Sequence, residues 1–277
     1  MRLSVIIGTY NQKEVLRQTL ESLFRQTLAS DQYEIQLVDS SSTDGTDQMV
    51  QELHPPCRFN YQRVENKGKT FARNLGIKAA TGEIVFLTDA DMVAKETLLE
   101  EHLKAHRKKM NTSFEGLTIN PDGKPYIKSF IFPNSRLKWS YFLTGNLSLP
   151  KKIILEAGLF DERFKGYGWE DIELGYRLSR MKVPLYYLPG AVNYHHHPVS
   201  DAGMLERKFE MGRSAALFYK KHPNLTIKMF LGINPLAMGI YSLLKRSPKL
   251  LARVKSRYLL EEYQYRRGLE AGLQEFQ

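Results

Sequence analysis

Apolar and amphipathic runs alternate along the first hundred residues. Residues 2–8 are an almost unbroken apolar run, the pattern of a strand buried on both faces of a parallel sheet. Apolar residues then recur at helical spacing over 15–24. The same order repeats along the chain, with further strands predicted at 33–39, 58–64 and 83–91. This alternation predicts an α/β fold with a mostly parallel sheet.

Polar residues stand where three of these strands end. Residues 9–11 (Thr-Tyr-Asn) follow the first strand, Asp39 ends the second, and Asp89 and Asp91 end the fourth. Turns favour such residues, so each tip alone is weak support for a site. Parallel sheets, however, bind ligands beyond the carboxyl ends of their strands. Two neighbouring carboxylates there suit a divalent cation that also holds substrate phosphates.

A basic loop precedes the fourth strand. Lys67 and Lys69 flank a glycine, and Arg73 follows on the next predicted helix. These cations suit a diphosphate, although for this loop taken alone a solvated basic loop is the better explanation. The sequence has neither a P-loop nor a dinucleotide-binding fingerprint.

Three blocks in fixed order resemble the motifs of the family 2 glycosyltransferases. They are SVIIGTYNQ, LVDSSSTDGT and NKGKTFARNLGIKAATGEIVFLTDAD, and the resemblance is close over about residues 2–95. Gly8 stands where the family usually has Pro, and Ser40 where a second Asp is common. The resemblance implies a GT-A fold, that is, a Rossmann-like sheet that binds a nucleotide sugar, most often a UDP-sugar.

The resemblance also implies roles for single residues. The nucleotide base would be held by Thr9, Tyr10 and Asp39. Arg73 would lie near the pyrophosphate, where the basic loop could add Lys67 or Lys69. Asp89 would face the ribose and the metal, and Asp91 would bind the metal.

A second group of motifs lies between 144 and 171. Trp169, Glu170 and Asp171 follow two glycines and open a predicted amphipathic helix. Acidic residues there also stabilise a helix dipole, by about 0.3–1 kcal/mol. The segment resembles the Trp-Gly-x-Glu-Asp element of galactosyltransferase and chondroitin-polymerase types. That resemblance implies that Trp169 covers a sugar, that Glu170 contacts the acceptor and that Asp171 is the base; Gly145 and Asn146 resemble the segment lining the sugar pocket.

The expected chemistry is a direct displacement. A carboxylate can take the proton of an acceptor hydroxyl as it attacks the anomeric carbon, and a chain with one base and no covalent nucleophile predicts inversion. Related enzymes supply a His to the metal near residues 195–197, and His195 is preferred here over His197. A nitrogen ligand favours Mn²⁺ over Mg²⁺.

Charge and composition bear on location. The net charge is +10, and Lys245–Arg257 is rich in cations. The predicted helix that begins with this basic run and continues to about residue 268 fits an anionic membrane surface, and packing on the catalytic domain or in a homodimer is the equal alternative. The first apolar run reads as a strand rather than a signal peptide, and the 229–244 run is interrupted by Pro235. With the single Cys57, the expectation is a cytoplasmic protein, peripheral to the inner face of the cell membrane.

The sequence therefore predicts a GT-A catalytic domain at 1–203 and a helical C-terminal extension at 204–277. Residues 1–100 would form the nucleotide half and 101–203 the acceptor half. The predicted function is metal-dependent transfer of a sugar to a glycan or lipid-linked acceptor in cell-surface glycan synthesis. The alternatives are a sugar-nucleotide nucleotidyltransferase, whose glycine-rich N-terminal loop is missing, and a basic nucleic-acid-binding protein, for which no recognised module is present.

Overall fold

The computed structural model describes residues 2–126, 132–196, 201–246 and 256–275. The chain divides into two compact units. The first unit contains Met1–Glu162 and Asp171–Pro198, and the second contains Arg163–Glu170 and Val199–Gln277.

The first unit is built on one mixed sheet, which confirms the predicted α/β class. Its strands in the described residues are β1 (Leu3–Thr9), β2 (Tyr33–Asp39), β3 (Arg58–Arg63), β4 (Ile84–Asp89), β5 (Met92–Ala94), β6 (Ser113–Ile119), β7 (Arg136–Leu137), β8 (Leu147–Pro150) and β9 (Leu185–His195). Their order is β3-β2-β1-β4-β8-β6-β9-β5, and β7 pairs with β9. The helices that accompany the sheet are α1 (Lys13–Phe24), α2 (Thr46–Gln51), α3 (Lys69–Ala79), α4 (Leu98–Lys108), α5 (Lys151–Glu156) and α6 (Glu170–Arg180).

Strand direction decides which residues can meet. The strands β1, β2, β3 and β4 are parallel. The strand β8 runs antiparallel to both β4 and β6, and β9 is parallel to β6. Two reversals restore the original direction, so β4, β6 and β9 end at the same edge of the sheet and β8 begins there. We call this edge the carboxyl edge.

The continuous apolar character of β1 follows from its position inside the sheet. Val5 packs in one hydrophobic cluster with Leu16 of α1, while Ile6 packs in a second cluster with Ile77 of α3. Both faces of the strand are therefore covered, which is why the 2–8 run does not alternate with polar residues.

A polar network lies buried between α4 and the carboxyl edge. The side chain of Asn146 is fully buried, and its amide group donates to the carbonyl oxygens of Leu117 and Ala191, at 3.1 and 2.9 Å. The Asn146 Oδ1 must therefore accept from His102 Nε2, at 2.9 Å. Ser148 Oγ lies 2.7 Å from His102 Nδ1 and 2.9 Å from His106 Nε2.

Burial keeps both histidines neutral. It lowers the pKa of His102 to about 4 and that of His106, where His102 also contributes, to about 3. Their side chains therefore act as neutral hydrogen-bonding groups in the core of the first unit.

The second unit is helical, with α7 (Asp201–Lys221), α8 (Leu225–Phe230), α9 (Pro235–Arg246) and α10 (Arg257–Glu275). The helical extension predicted after residue 204 is therefore present, although part of the predicted basic helix, residues 247–255, lies outside the described residues. The backbones of α7 and α10 are in direct contact at two glycines. A Cβ at Gly212 would overlap the Tyr265 carbonyl oxygen, and one at Gly268 would overlap the Phe209 carbonyl oxygen. Every helix in the described parts of the chain is too short or too polar to span a bilayer.

We expect acidification to destabilise the fold through His102. Its pKa is lower in the folded state than in an unfolded chain, so the unfolded state binds more protons as the pH falls from about 6.5 to about 4. Over that window the free energy of unfolding should decrease by up to about 3 kcal/mol on this account. Urea unfolding at several pH values would measure it.

The variant His102→Gln should have a flatter pH dependence than the parent protein. The matched control is His54→Gln, which replaces an exposed histidine and should leave the slope unchanged. Equal slopes for the parent and His102→Gln would contradict this account of the buried histidine.

Candidate functional site

The three strand tips singled out in the sequence lie side by side at the carboxyl edge. Thr9 is paired with Asp39 across β1 and β2, and Gly8 is paired with Asp89 across β1 and β4. Adjacent strands are about 4.8 Å apart, so these tips face one crevice. Convergence follows directly from the parallel register.

Asp39 is fully buried and is held by its own turn. Its Oδ1 accepts from the backbone N–H of Ser42 at 2.9 Å and from the Ser42 hydroxyl at 2.6 Å. Its Oδ2 accepts from the Tyr61 hydroxyl at 2.8 Å, and burial, together with this bond to Asp39, raises the pKa of Tyr61. Three donors occupy most of the acceptor positions of one carboxylate. Tyr61, which comes from the next strand, was not predicted as part of the site.

The turn after β1 is bound to the turn after β2. Asn11 adopts a positive φ of 51°, its N–H donates to Ser42 Oγ at 2.9 Å, and its side chain accepts from the Thr43 N–H at 2.8 Å. Tyr10 is about half exposed, whereas the buried hydroxyl of Thr9 has no hydrogen-bond partner among the described residues. The pair of turns thus leaves an exposed aromatic ring and an unused hydroxyl beside Asp39.

The tip of β4 carries a cluster of opposite charges. The Arg73 side chain is 1% exposed, and its guanidinium lies 2.5 Å from Asp89 Oδ1. Lys69 Nζ lies 3.4 Å from the same oxygen. Burial by itself would raise the pKa of Asp89, but Lys69 and Arg73 hold it well below its usual range. Lys67 instead pairs with Glu65 at 3.1 Å, so Lys69 is the lysine of this loop beside the strand tip.

Asp91 lies against His195 at the end of β9. His195 Nε2 is 3.3 Å from Asp91 Oδ2, and the pairing of Met92 with His195 fixes this contact. The N–H of His196 also donates to the Asp91 carbonyl oxygen at 2.9 Å. His197, the other histidine considered in the sequence, lies outside the described residues.

This pair fits two neighbouring ligands of a divalent cation. Ligand atoms about 2.1 Å from one ion are about 3 Å apart when they are adjacent, close to the 3.3 Å between Nε2 and Oδ2. In the described ranges, no group of three His, Cys, Asp or Glu side chains is placed to hold a metal. Asp89, predicted as a further ligand, directs Oδ1 at Arg73 and Lys69. Asp91 and His195 are therefore the pair placed to hold a divalent cation, and Asp89, the third predicted ligand, has one of its two oxygens paired with cations.

The loop before β8 is fixed by the strands on either side of it. The carbonyl oxygen of Gly145 accepts from Thr88 Oγ1 at 3.1 Å and from Asn193 Nδ2 at 2.9 Å. A Cβ at Gly145 would lie 2.6 Å from the terminal methyl of Met92, so this flexible side chain would have to move to admit one. The side chain of Asn146 is committed to the buried network, so the surface that this loop presents to the crevice is made by backbone and by Gly145.

Asp171 lies in the first turn of α6, close to a buried acid. Glu115 of β6 is 2% exposed and accepts from the Leu143 N–H at 3.0 Å. Burial raises the pKa of Glu115 well above its usual range, and the charge of Asp171 adds to the rise. The 143–145 loop therefore connects the surroundings of Asp171 to the tip of β4. Glu115 was not predicted, although a single acid inside the apolar pattern SFEGL was a usable signal.

Trp169 and Glu170 belong to the second unit. The Trp169 indole donates to the Met211 carbonyl oxygen at 2.8 Å, and its ring meets Phe230 edge-on with centroids 5.6 Å apart. Its φ is +74°, directly after Gly168 at +87°. Glu170 is buried. Trp169 therefore packs against residues of the second unit. Its predicted contact with a sugar would be a second role.

Comparison with known proteins agrees with this architecture. The sequence profile described as Glycosyl transferase family 2 matches residues 4–158. Validoxylamine A glucosyltransferase of Streptomyces hygroscopicus subsp. limoneus is 28% identical over 82% of this chain and 58% of its own length. Chondroitin synthase of Escherichia coli is 26% identical over 80% of this chain and 38% of its own. The chain thus spans less than two thirds of the length of these relatives.

Solved structures show the fold. The Staphylococcus aureus TarS fragment 1–349 in complex with UDP superimposes with a TM-score of 0.63 and 20% identity, over 100% of this chain and 92% of that one. The mannosyltransferase PcManGT of Pyrobaculum calidifontis, in complex with GDP-Man and Mn²⁺, gives a TM-score of 0.66 and 19% identity, over 99% and 87%. The predicted GT-A fold is therefore confirmed. Since the family profile covers more than half of the sequence, the protein belongs to glycosyl transferase family 2.

Proposed function

We propose that this chain transfers a sugar from a nucleotide diphosphate, with UDP as the nucleotide, to a hydroxyl acceptor with inversion. The observation that carries the proposal is the arrangement at the carboxyl edge, where Asp89 with its two cations stands beside the Asp91–His195 pair. The complexes of TarS with UDP and of PcManGT with GDP-Man and Mn²⁺ support a nucleotide-sugar donor. The nucleotidyltransferase and nucleic-acid-binding alternatives are not favoured.

The donor would lie across the strand tips. Thr9, Tyr10 and Asp39 would receive the base and Asp89 the ribose. Lys69 and Arg73 would be the cations near the diphosphate, with Lys67 further out on the same loop. Two cations at this position stabilise the negative charge that the leaving nucleotide gains as the sugar departs.

A divalent cation would be held by Asp91 and His195, with Asp89 as the third predicted ligand, and the nitrogen ligand favours Mn²⁺. When bound, this ion supplies further positive charge to the leaving diphosphate. The contact between the Asp91 and His195 side chains also links the residue before β5 to the end of β9.

The acceptor hydroxyl would lose its proton to Asp171 as it attacks the anomeric carbon. Glu115 is not assigned as the base, because it is buried in β6 and that burial raises its pKa well above the usual range. Glu170 would contact the acceptor, and the Gly145–Asn146 loop would line the sugar pocket with Trp169 over a sugar. A single base without a covalent nucleophile makes the transfer inverting.

We also propose that different parts of the chain have different functions. Residues 1–203 would form the catalytic domain, with the nucleotide half at 1–100 and the acceptor half at 101–203, and 204–277 would be a helical extension. The acceptor would be a glycan or a lipid-linked sugar used in cell-surface glycan synthesis. The reaction would take place in the cytoplasm, in agreement with the single cysteine.

A thermal-shift panel tests the donor class directly. Full-length protein with Mn²⁺ should be stabilised by one nucleotide sugar, by about 2.7 kcal/mol at a hundred times its Kd. The same donor should then yield a transferred sugar of inverted anomeric configuration, read by NMR. Stabilisation by nucleic acid but by no nucleotide sugar would contradict the proposal.

The variant Asp91→Asn should weaken metal-dependent donor binding by about 100-fold or more, because it removes one charged ligand of the proposed ion. Isothermal titration with the donor, in the presence of Mn²⁺ or of EDTA, would measure the loss. The control Asp31→Asn changes an exposed carboxylate that precedes β2, away from the carboxyl edge, and should bind like the parent protein. Unchanged, metal-dependent binding by Asp91→Asn would remove Asp91 from the site.

The variant Asp171→Asn should reduce the rate of transfer by about 100- to 10,000-fold while donor affinity stays within about twofold, because only proton removal from the acceptor is affected. Single-turnover kinetics with saturating donor separate the two quantities. Glu156→Gln, an exposed carboxylate on α5, is the matched control. Full transfer activity in Asp171→Asn would show that another group is the base.

A further inference from the structure

The excess positive charge of the chain is concentrated in one segment. Residues 211–260 contain ten Lys and Arg and not one Asp or Glu, and the net charge of the whole chain is +10. The remainder of the chain is therefore balanced. The segment runs from the second half of α7 to the start of α10 and belongs entirely to the second unit.

The helix α9 in this segment has an inner face and an exposed apolar face. Its buried Tyr241 donates to Glu270 of α10 at 2.8 Å, so this side packs inside the unit. Leu236, Ile240 and Leu243 follow at the spacing of one helix face and are 75%, 51% and 60% exposed. The exposed face of α9 is thus made of large apolar side chains.

The neighbouring helices repeat this pattern. Ile227 of α8 is fully buried, while Leu225 and Met229, four residues apart, are both more than half exposed. Tyr258, near the start of α10, is also mostly exposed. Apolar groups exposed on three successive helices are more than the scattered single residues that a protein surface normally carries. We call these residues of α8, α9 and α10 the apolar surface.

Basic residues accompany the apolar surface. Lys228 lies between Leu225 and Met229 along α8, and Lys245 and the exposed Arg246 stand two and three residues after Leu243 at the end of α9. Lys245 Nζ is bonded to Glu270 at 2.7 Å. Apolar helix faces with Lys and Arg beside them are typical of helices that lie in the interface of an anionic bilayer. Their long side chains reach lipid phosphates while the apolar groups enter the acyl boundary.

Other occupants fit this surface less well. A second copy in a symmetric contact would place two acid-free, strongly basic segments against each other, which like-charge repulsion disfavours. A nucleic acid would match the charge but leaves leucine and isoleucine side chains without an apolar partner. An anionic lipid surface satisfies both the charge and the apolar side chains.

We propose that the apolar surface docks this protein on an anionic lipid bilayer, with Leu236, Ile240 and Leu243 entering the boundary between headgroups and acyl chains. The inference uses only the second unit and does not depend on the proposed sugar transfer. It shifts the membrane contact from the predicted basic helix at 245–257 to α8 and α9, with the cations as the electrostatic part of the contact.

Flotation with vesicles tests the proposal on the full chain. The protein should float with vesicles of phosphatidylcholine and phosphatidylglycerol and stay in solution with phosphatidylcholine alone. The triple variant Leu236→Ser, Ile240→Ser, Leu243→Ser should bind about tenfold or more weakly, because it removes the inserted apolar groups. Lys228→Gln and Arg246→Gln should each weaken binding by about fivefold, and added salt should weaken the parent protein further.

The matched control replaces three similarly exposed apolar residues of the first unit, Met110→Ser, Leu155→Ser and Met181→Ser, which are 42%, 42% and 41% exposed. This control should float like the parent protein, and circular dichroism should show every variant folded. Three outcomes would overturn the proposal. They are failure of the parent protein to float, equal flotation of the triple variant, and a dimer in sedimentation that the triple variant dissociates while vesicles are ignored.

Discussion

The ion pair between Arg73 and Asp89 is the contact on which the carboxyl edge depends. A guanidinium that is 1% exposed must have a charged partner, because leaving either group of such a pair alone costs about 3–5 kcal/mol. The pair joins α3 to the tip of β4, and the Arg73 guanidinium also lies 5.5 Å from the centre of the Phe160 ring. The basic loop is therefore held beside the acidic strand tip before any ligand arrives. The ion pair also gives the two aspartates different surroundings, since Asp89 is already neutralised by cations while Asp91 faces a histidine.

Behind the carboxyl edge, the interior of the first unit contains a cluster of polar side chains, whereas most protein cores are apolar. His102, Ser148 and Asn146 form a closed set of hydrogen bonds, and Glu115 sits in the neighbouring strand. Buried polar groups that are fully satisfied restrict a core to one arrangement. Here the arrangement that they fix is the 143–146 loop, which lies between the strand tip at Asp89 and the start of α6. A rigid interior thus sets the distance between the proposed donor side and the proposed base.

The first half of the site could be predicted from the sequence because local pattern and topology agree there. Successive strands of a parallel sheet end at one edge, so Thr9, Asp39 and Asp89 had to converge. The second half depends on β8, which enters the sheet antiparallel between β4 and β6. The apolar pattern does not indicate that a strand inserts at this place. Without that strand, the inward direction of the Asn146 side chain cannot be predicted. The position of Lys69, rather than Lys67, beside Asp89 could not be predicted either. It depends on the rotation of α3, and a shift of one residue turns a side chain in another direction.

The glycine contacts between α7 and α10 have a consequence for how the second unit can evolve. Gly212 and Gly268 allow the backbones of α7 and α10 to touch. The packing of these two helices therefore depends on the absence of side chains at these two positions. Exposed side chains of this unit, such as Leu236, Leu243 and Tyr258, can then be exchanged without disturbing that packing. The exposed residues of this unit could therefore diverge during evolution, while a larger residue at either glycine would separate the two helices and be selected against.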